Sequence, residues 1–392
     1  MQDVFVVAAV RTAIGTFGGS LRDIPPAVLA ATVTRAAVAR STLDPAAVGH
    51  VVFGQVIATE PRDAYLARVA GIEGGLPVET PALTVNRLCG SGLQAIVSAA
   101  QMLRLGDAEI AVAGGAESMS RAPFQSPATR WGARFGDAVL ADVLRGVLTD
   151  PFHQILMGLT AENIAERFAI TRERQDAYAV ESHRRAARAW AQDRFKDQIV
   201  PVPVRQKRQT VDFLRDEHPR PEATVEDFGR LAAVFKDGGT VTPGNASGMN
   251  DGAAAVVLAT GAAVSRHGLT PLARLVAYAH AGVEPAYMGM GPVPATTAVM
   301  KRAGLSVADM DVIESNEAFA AQACAVAQEL EFDPDKVNPN GSGISLGHPV
   351  GATGAINTVK AVHELRRIGG RFGLVTMCIG GGQGISAIFE RV

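Results

Sequence analysis

Cysteine is scarce in this 392-residue chain, which carries 3 of them, Cys89, Cys324 and Cys378, with no CxxC pair. So odd and sparse a set excludes a disulfide framework and supplies no zinc-ligand spacing. No metal is expected, and a reducing cytoplasm is the expected compartment. Charge of one sign is lacking as well: Lys+Arg 37 against Asp+Glu 39 leaves a formal net charge of -2. No broad field therefore attracts nucleic acid or an anionic membrane, and an anionic ligand must meet a local basic patch. No apolar run reaches the ~20 residues that span a bilayer. The opening "MQDVFVVAAVRTAIG" has no basic stretch ahead of a long apolar one, and reads as a first strand rather than a leader. Aromatics are few, at 5%. What is plentiful is glycine, 41 residues, in a chain that is 47% hydrophobic, which fits a globular protein with many tight turns. The length exceeds what one core usually organises, so two or three domains are expected.

Strand-like and helix-like segments alternate. "DVFVVAAV", a helix from about Pro26 to Arg40, "HVVFGQVI", a helix after Cys89 and "EIAVAGGAES" form the first series. "LARLVAYAHA", "ATTAVMKRAG", "MDVIES", "NEAFAAQACAVAQEL", "GATGAINTVKAVHELRRIG" and "RFGLVTMCIGGGQG" form the second. Such alternation predicts largely parallel sheet with helices on its faces. Each series ends in a Gly-rich entry, a long helix, a short apolar strand and a glycine run, which predicts an internal duplication. The fold class expected is α/β: duplicated units in α/β/α/β/α layers with an inserted loop domain. Residues 1–118 form the N-terminal unit, completed by about 250–270, and 271–392 the C-terminal unit. Residues 119–249, with an Arg- and Pro-rich composition, form the insertion.

Four stretches carry groups suited to chemistry. In "VNRLCGSGLQ" Cys89 stands among glycines where a strand hands over to a helix. Free N–H groups and the dipole of that helix start would favour the thiolate; the alternative is a small core residue at a turn. In "SLGHPVGATG", Pro349 keeps His348 out of the helical region, leaving an imidazole fixed ahead of a helix, either as a base or as a structural histidine. In "MCIGGGQG", Cys378 runs into glycines whose N–H groups can form an anion-binding nest or simply a turn. In "ESNEAFAAQ", Asn316 stands at a strand-to-helix junction as an N-cap or as a donor at a site.

Together, "NRLCGSG", "NEAFA", "GHPVGATG" and "CIGGGQG", in this order and across nearly the whole chain, closely resemble the thiolase family, in detail the bacterial biosynthetic β-ketothiolases (acetyl-CoA C-acetyltransferases). "GGAESMSRAP", "MGLTAENIA", "GTVTPGNASGMNDGAAA" and "MGMGPVPA" agree. The resemblance implies an acyltransferase that joins two acyl-CoA molecules by Claisen condensation, or runs the reverse thiolysis, through an acyl-cysteine. Coenzyme A thioesters are substrates, and no cofactor is implied. By the match Cys89 is the nucleophile, His348 the base that takes its proton, and Cys378 the acid/base at the α-carbon of the incoming acetyl-CoA. The enolate oxygen would sit near His348 and a water held by Asn316, and the thioester oxygen on the N–H groups of Cys89 and Gly380. Ser247 and Arg220 match positions at the pantetheine and nucleotide ends of CoA. Leu148, Met157, Phe235, Met288, Ala318 and Phe319 match apolar tunnel walls; without the family, ordinary core packing would explain those six. A homotetramer, with a loop after "GGAESMS" in its contacts, is also implied, and polyhydroxyalkanoate or fatty acid metabolism is the implied setting.

One departure stands out. Where biosynthetic thiolases commonly carry His before the Met-Gly of "MGLTAEN", this chain has Leu156, and Pro243 replaces a more usual small residue. A more apolar pocket, altered thioester binding and tolerance of chains longer than acetyl are expected. Three other classes compete. A silent CoA-binding protein would need no second cysteine, a ketoacyl synthase would lack the cysteine of "CIGGGQG", and a metal hydrolase would need ligand spacing that is absent.

Overall fold

The computed structural model describes residues 2–392. Nine strands build its frame: β1 (Val4–Thr12), β2 (His50–Gly54), β3 (Ala82–Val85), β4 (Ile110–Ser118), β5 (Asn250–Thr260), β6 (Ala273–Gly282), β7 (Val312–Ser315), β8 (Phe372–Ile379) and β9 (Gln383–Arg391). Seven helices matter here: α1 (Pro26–Ser41), α2 (Ser91–Leu105), α3 (Met157–Arg167), α4 (Arg172–Ala191), α5 (Pro292–Ala303), α6 (Ala320–Glu329) and α7 (Thr353–Ile368).

The strands lie in the order β7-β8-β9-β6-β1-β5-β4-β2-β3, and the order repeats. β2 runs parallel to β4, which is antiparallel to β5, which is antiparallel to β1. In the same way β7 runs parallel to β8, which is antiparallel to β9, which is antiparallel to β6. The duplication expected from the sequence is thus the plan of the fold, but the largely parallel sheet is not: five of the eight neighbouring pairs are antiparallel, because β5 and β9 return beside the strands before them without a crossover helix. The two halves are also joined edge to edge, through the pairs Phe5↔Arg274 and Val6↔Ala273 of β1 and β6, a seam that the sequence patterns did not announce.

β4 and β5 are buried at every position, because each half-sheet is covered on both faces, and such strands read as unbroken apolar runs. α1 covers β1, β4 and β5 from one side, and α5 covers β6, β8 and β9. Between the halves lie α2 and α7. α2 packs on β2, β4 and β5; α7 touches β1 and β5 as well as β7 and β8, and the two helices touch each other. The result is the five-layer α/β/α/β/α arrangement. Both central helices stop at a left-handed glycine, Gly106 and Gly369, the usual C-terminal device. Being enclosed, α7 must partner its polar residues: Lys360 Nζ donates to Glu314 Oε2 at 2.5 Å and to the Gly341 carbonyl at 2.6 Å.

Residues between β4 and β5 supply α3, α4 and a two-stranded ribbon, Val202–Gln206 with Gln209–Phe213. β5 then returns between β1 and β4. Arg11, wholly buried on β1, clamps this segment by donating two hydrogen bonds to Asp216, 2.8 and 3.1 Å, and a third to Gln198.

Candidate active site

The two central helices begin almost in contact, and glycines permit it. A Cβ on Gly92 would stand 2.7 Å from the Ala355 nitrogen, and one on Gly354 would stand 2.4 Å from the Leu93 nitrogen. Since Cys89 leads directly into α2, and His348 precedes α7 by one short turn, this contact draws the two functional stretches together.

Cys89 sits on a tight turn. Leu88 before it is held at φ 45°, a left-handed conformation that costs a non-glycine residue about 1–2 kcal/mol. Its N–H donates to Asn86 Oδ1 (2.9 Å), and its carbonyl accepts from Ser91 Oγ (2.6 Å). The expectation of a lowered thiol pKa is overturned here: burial pushes the Cys89 thiol up to about 11, against the pull of the Gly380 and Cys89 N–H groups. The reason lies in the first turn. The Gly90 and Ser91 N–H groups fold back on the carbonyls of Arg87 and Leu88 (3.0 and 2.9 Å), so they are not free to face the sulfur. Two N–H groups do reach it, that of Gly380 and its own.

Cys378, at the end of β8, is buried, and its thiol is held well above the ordinary value by burial and by the nearby Cys89. It packs with Met157, Met288, Ala318 and Phe319. Gly380 follows β8 in the glycine turn, whose Gly381 and Gly382 take φ 78° and 82°, values that favour glycine.

His348 is buried, and burial brings its pKa down to about 4, so it is neutral at physiological pH. Its Nδ1 lies 2.6 Å from Thr353 Oγ1, and its Nε2 lies 3.4 Å from Asn316 Nδ2. Its backbone N–H donates to Asn250 Oδ1 at 2.9 Å. Asn316 is wholly buried and lies ahead of α6, whose N-terminal boundary is Phe319; it therefore does not cap the helix.

A cavity of about 590 Å³ has His348 and Val350 in its wall and also takes in Leu148, Leu156, Met157, Phe235, Pro243, Ser247 and Phe319. Ser247 is placed by a short stitch: its N–H donates to the Ala318 carbonyl (2.9 Å), and the Ala320 N–H to the Asn245 carbonyl (2.8 Å). Arg220 is exposed and lines a neighbouring cavity of about 540 Å³, which shares Pro243 and Ala246 with the first. Met288 and Ala318 line neither; they pack around Cys378 instead.

Sequence reasoning missed Glu117, Asn250 and Thr353. Glu117, wholly buried at the end of β4, accepts from the N–H groups of Val56 (3.0 Å), Ile57 (3.1 Å) and Gly351 (2.9 Å). Burial pushes its carboxyl up to about 8 against those donors. The available signal was a polar residue at the edge of an apolar strand, closing it in "AGGAES" and opening it in "GMNDGAAA". Among the described residues no group of His, Cys, Asp or Glu is placed to hold a metal ion, and no helix is long and apolar enough to cross a membrane.

A duplicated five-layer fold, with two cysteines close together beside a glycine turn and a buried imidazole in the wall of a cavity, defines a thiolase, and the comparisons agree. The thiolase N-terminal domain family matches residues 4–262, and the thiolase C-terminal domain family matches residues 269–391. The chain belongs to the thiolase family. It is 64% identical to the beta-ketothiolase BktB of Cupriavidus necator over 392 residues, all of both chains. It is 48% identical to the acetyl-CoA acetyltransferase of Pseudomonas aeruginosa over 393 residues, again covering both chains fully. The crystal structure of human mitochondrial 3-ketoacyl-CoA thiolase in complex with CoA superposes with a TM-score of 0.96 at 46% identity, covering 100% of this chain and 98% of that one.

Proposed function

We propose that this enzyme is a β-ketothiolase, an acetyl-CoA C-acetyltransferase that condenses acetyl-CoA with acetyl-CoA or a short acyl-CoA to a 3-ketoacyl-CoA and CoA, reversibly. The single observation that carries the reading is the convergence of Cys89, Cys378 and the Gly380 N–H, with His348 in the wall of the adjoining cavity. A binding protein has no use for a second buried thiol there.

In this reading Cys89 attacks the acetyl thioester while His348 takes its proton. With a thiol held up and an imidazole held down, the resting pair is neutral, and the thiolate forms as the attack proceeds. The N–H groups of Cys89 and Gly380 then receive the thioester oxygen, where the loss of one donor costs roughly 100- to 1000-fold. Cys378 removes a proton from the α-carbon of the second acetyl-CoA, and His348, with a water held by Asn316, supports the enolate oxygen. The shared wall of the two cavities suits a long ligand, with pantetheine past Ser247 and the nucleotide end toward Arg220. Leu148, Met157, Phe235 and Phe319 act as apolar walls, while Met288 and Ala318 shape the floor beside Cys378.

Residues 119–249 act as the inserted domain that covers CoA, and the enzyme works as a cytoplasmic homotetramer on acyl-CoA. Support for assembly comes from Trp131, Phe135, Val139 and Leu140, exposed at 62% or more on one loop, an apolar patch of the kind that marks an interface. Mass spectrometry after mixing with acetyl-CoA tests the chemistry: an acetyl group on the Cys89 peptide is expected, retained in Cys378→Ser while condensation is lost. No acetylation of Cys89, or full turnover of Cys89→Ala, would refute it.

A further inference from the structure

A base must keep a free lone pair on the atom that faces its acid, and the neutral imidazole of His348 has two nitrogens to choose from. Nε2 faces Asn316, whose Nδ2 lies 3.4 Å away and can donate only weakly to an unprotonated Nε2. The other, Nδ1, lies 2.6 Å from Thr353 Oγ1. That hydroxyl has a single hydrogen, and the Pro349 carbonyl stands 2.9 Å from it as an acceptor. No carboxylate orients this ring: among charged and titratable groups none contributes to its lowered pKa, which burial alone sets.

We propose that Thr353 is the positioning residue that fixes the tautomer of the catalytic base: its hydroxyl passes its hydrogen to the Pro349 carbonyl and accepts the Nδ1–H of His348, leaving the Nε2 lone pair for the Cys89 proton. The proton count closes through the reaction. When Cys89 gives up its proton, Nε2 gains it and both ring nitrogens carry hydrogen, so the Thr353 oxygen can only accept, as it already does. Thr353 need not rotate; on the far side the Asn316 amide, whose Nδ2 faces the unprotonated Nε2, must turn its unpartnered Oδ1 toward the new N–H. When the leaving CoA sulfur takes that proton, the same neutral tautomer returns. A hydroxyl also differs from a carboxylate in consequence: it orients the ring without stabilising the imidazolium, so the proton is held briefly and passed on. The geometry is self-consistent, because Thr353 opens α7 and its Oγ1 bonds back to the residue right after His348. Ring and hydroxyl therefore sit on one six-residue stretch, His348 to Thr353, and move as a unit.

The inference rests on His348 being the base, and the test separates the two. Thr353→Val removes the acceptor at nearly constant shape, while Thr353→Ser keeps it. Expected for Thr353→Val is a fall of about 10- to 100-fold in kcat with KM for acetoacetyl-CoA little changed, part of what general-base help supplies, and an equal fall in the rate of Cys89 alkylation by iodoacetamide at pH 7. Thr353→Ser should stay within a few-fold of the parent. In ¹⁵N-histidine spectra of the full-length enzyme, the resonance missing from His348→Ala should show Nδ1 protonated in the parent and mixed tautomers in Thr353→Val. Equal losses in Val and Ser variants, or an unchanged alkylation rate and spectrum in Thr353→Val, would overturn the inference. A normal alkylation rate in His348→Ala would overturn the base assignment beneath it.

Discussion

Gly354→Ala is the sharpest test of how the site is held. The added Cβ would stand 2.4 Å from the Leu93 nitrogen, 2.8 Å from its Cβ and 3.1 Å from its Cα. Two of those three atoms belong to the backbone of α2, which cannot swing aside as a side chain can. Ordinary carbon contacts begin near ~3.5 Å, so the two helix starts must part by about 1 Å. Overpacking of this kind costs about 1–3 kcal/mol, which a domain this size survives. The catalytic effect should be larger, because Cys89 leads directly into α2 and the turn of His348 leads into α7, and a misplacement of about 1 Å can cost about 100-fold in rate. Thiolysis of acetoacetyl-CoA, followed by loss of the substrate absorbance, reads kcat, and thermal unfolding reads stability. Gly229→Ala, where nothing lies within 4 Å of the new Cβ, serves as the control and should leave both alone. A folded Gly354→Ala enzyme with parental kcat would refute the claim that contact between the central helices sets the distance from base to nucleophile.

Four further outcomes are expected. Glu117→Gln replaces an acceptor of three N–H groups by an amide that must present hydrogens to one side, so stability should fall by about 1–3 kcal/mol in urea unfolding, with kcat reduced through the displaced Gly351; an unchanged midpoint would count against it. His348 is held at about 4 when folded, below its unfolded value, so below about pH 6.5 the unfolded chain binds the extra proton and stability should drop as pH falls toward 4. His348→Gln should flatten that part of the pH–Tm curve, and a slope identical to the parent's would exclude His348 as its source. Leu156→His, in the cavity wall, should lower KM for acetoacetyl-CoA and reduce the relative kcat/KM for 3-ketovaleryl-CoA; steady-state kinetics giving strict C4 use in the parent would refute the tolerance. Replacing Trp131, Phe135, Val139 and Leu140 together by serine should shift the light-scattering mass toward a smaller species, and an unmoved mass would remove this loop from the assembly.

Much of the fold was legible in the sequence for a physical reason. Strands covered on both faces must be apolar throughout, so "IAVAGGA" and "GLVTMCI" announce themselves, and duplicated units repeat their punctuation: a glycine entry, a helix, a strand and a glycine turn. The seam between β1 and β6 was invisible because a two-residue pairing leaves no periodic trace. Cys89, His348 and Cys378 could be singled out because a thiol or imidazole among glycines is poor packing material, and Asn316 because a polar residue marks a strand-to-helix junction. Glu117, Asn250 and Thr353 escaped because each works through a backbone N–H or a ring nitrogen supplied by a distant segment. The direction of the Cys89 shift was misread for a related reason. A helix start offers free N–H groups only while no local carbonyl claims them, and Arg87 and Leu88 claim two.

That correction bears on how the enzyme avoids harm to itself. A thiolate resting beside a second thiol would be open to oxidation and to alkylation by any electrophile entering the cavity, since reactivity follows the thiolate fraction. Here burial keeps both thiols protonated and the imidazole neutral, so the resting site carries no separated charge. In the proposed reaction what favours ionisation is the reaction itself: as Cys89 bonds to the carbonyl carbon, negative charge moves to the oxygen, which the N–H groups of Cys89 and Gly380 beside the sulfur would receive. The donors that reach the resting sulfur thus count for most once the charge has left it, which is the differential stabilisation that raises a rate. Alkylation of Cys89 should accordingly be slow at pH 7 and climb with pH toward about 11, while turnover does not follow that climb. An alkylation rate already at its plateau near neutrality would show a preformed thiolate and refute the neutral resting pair.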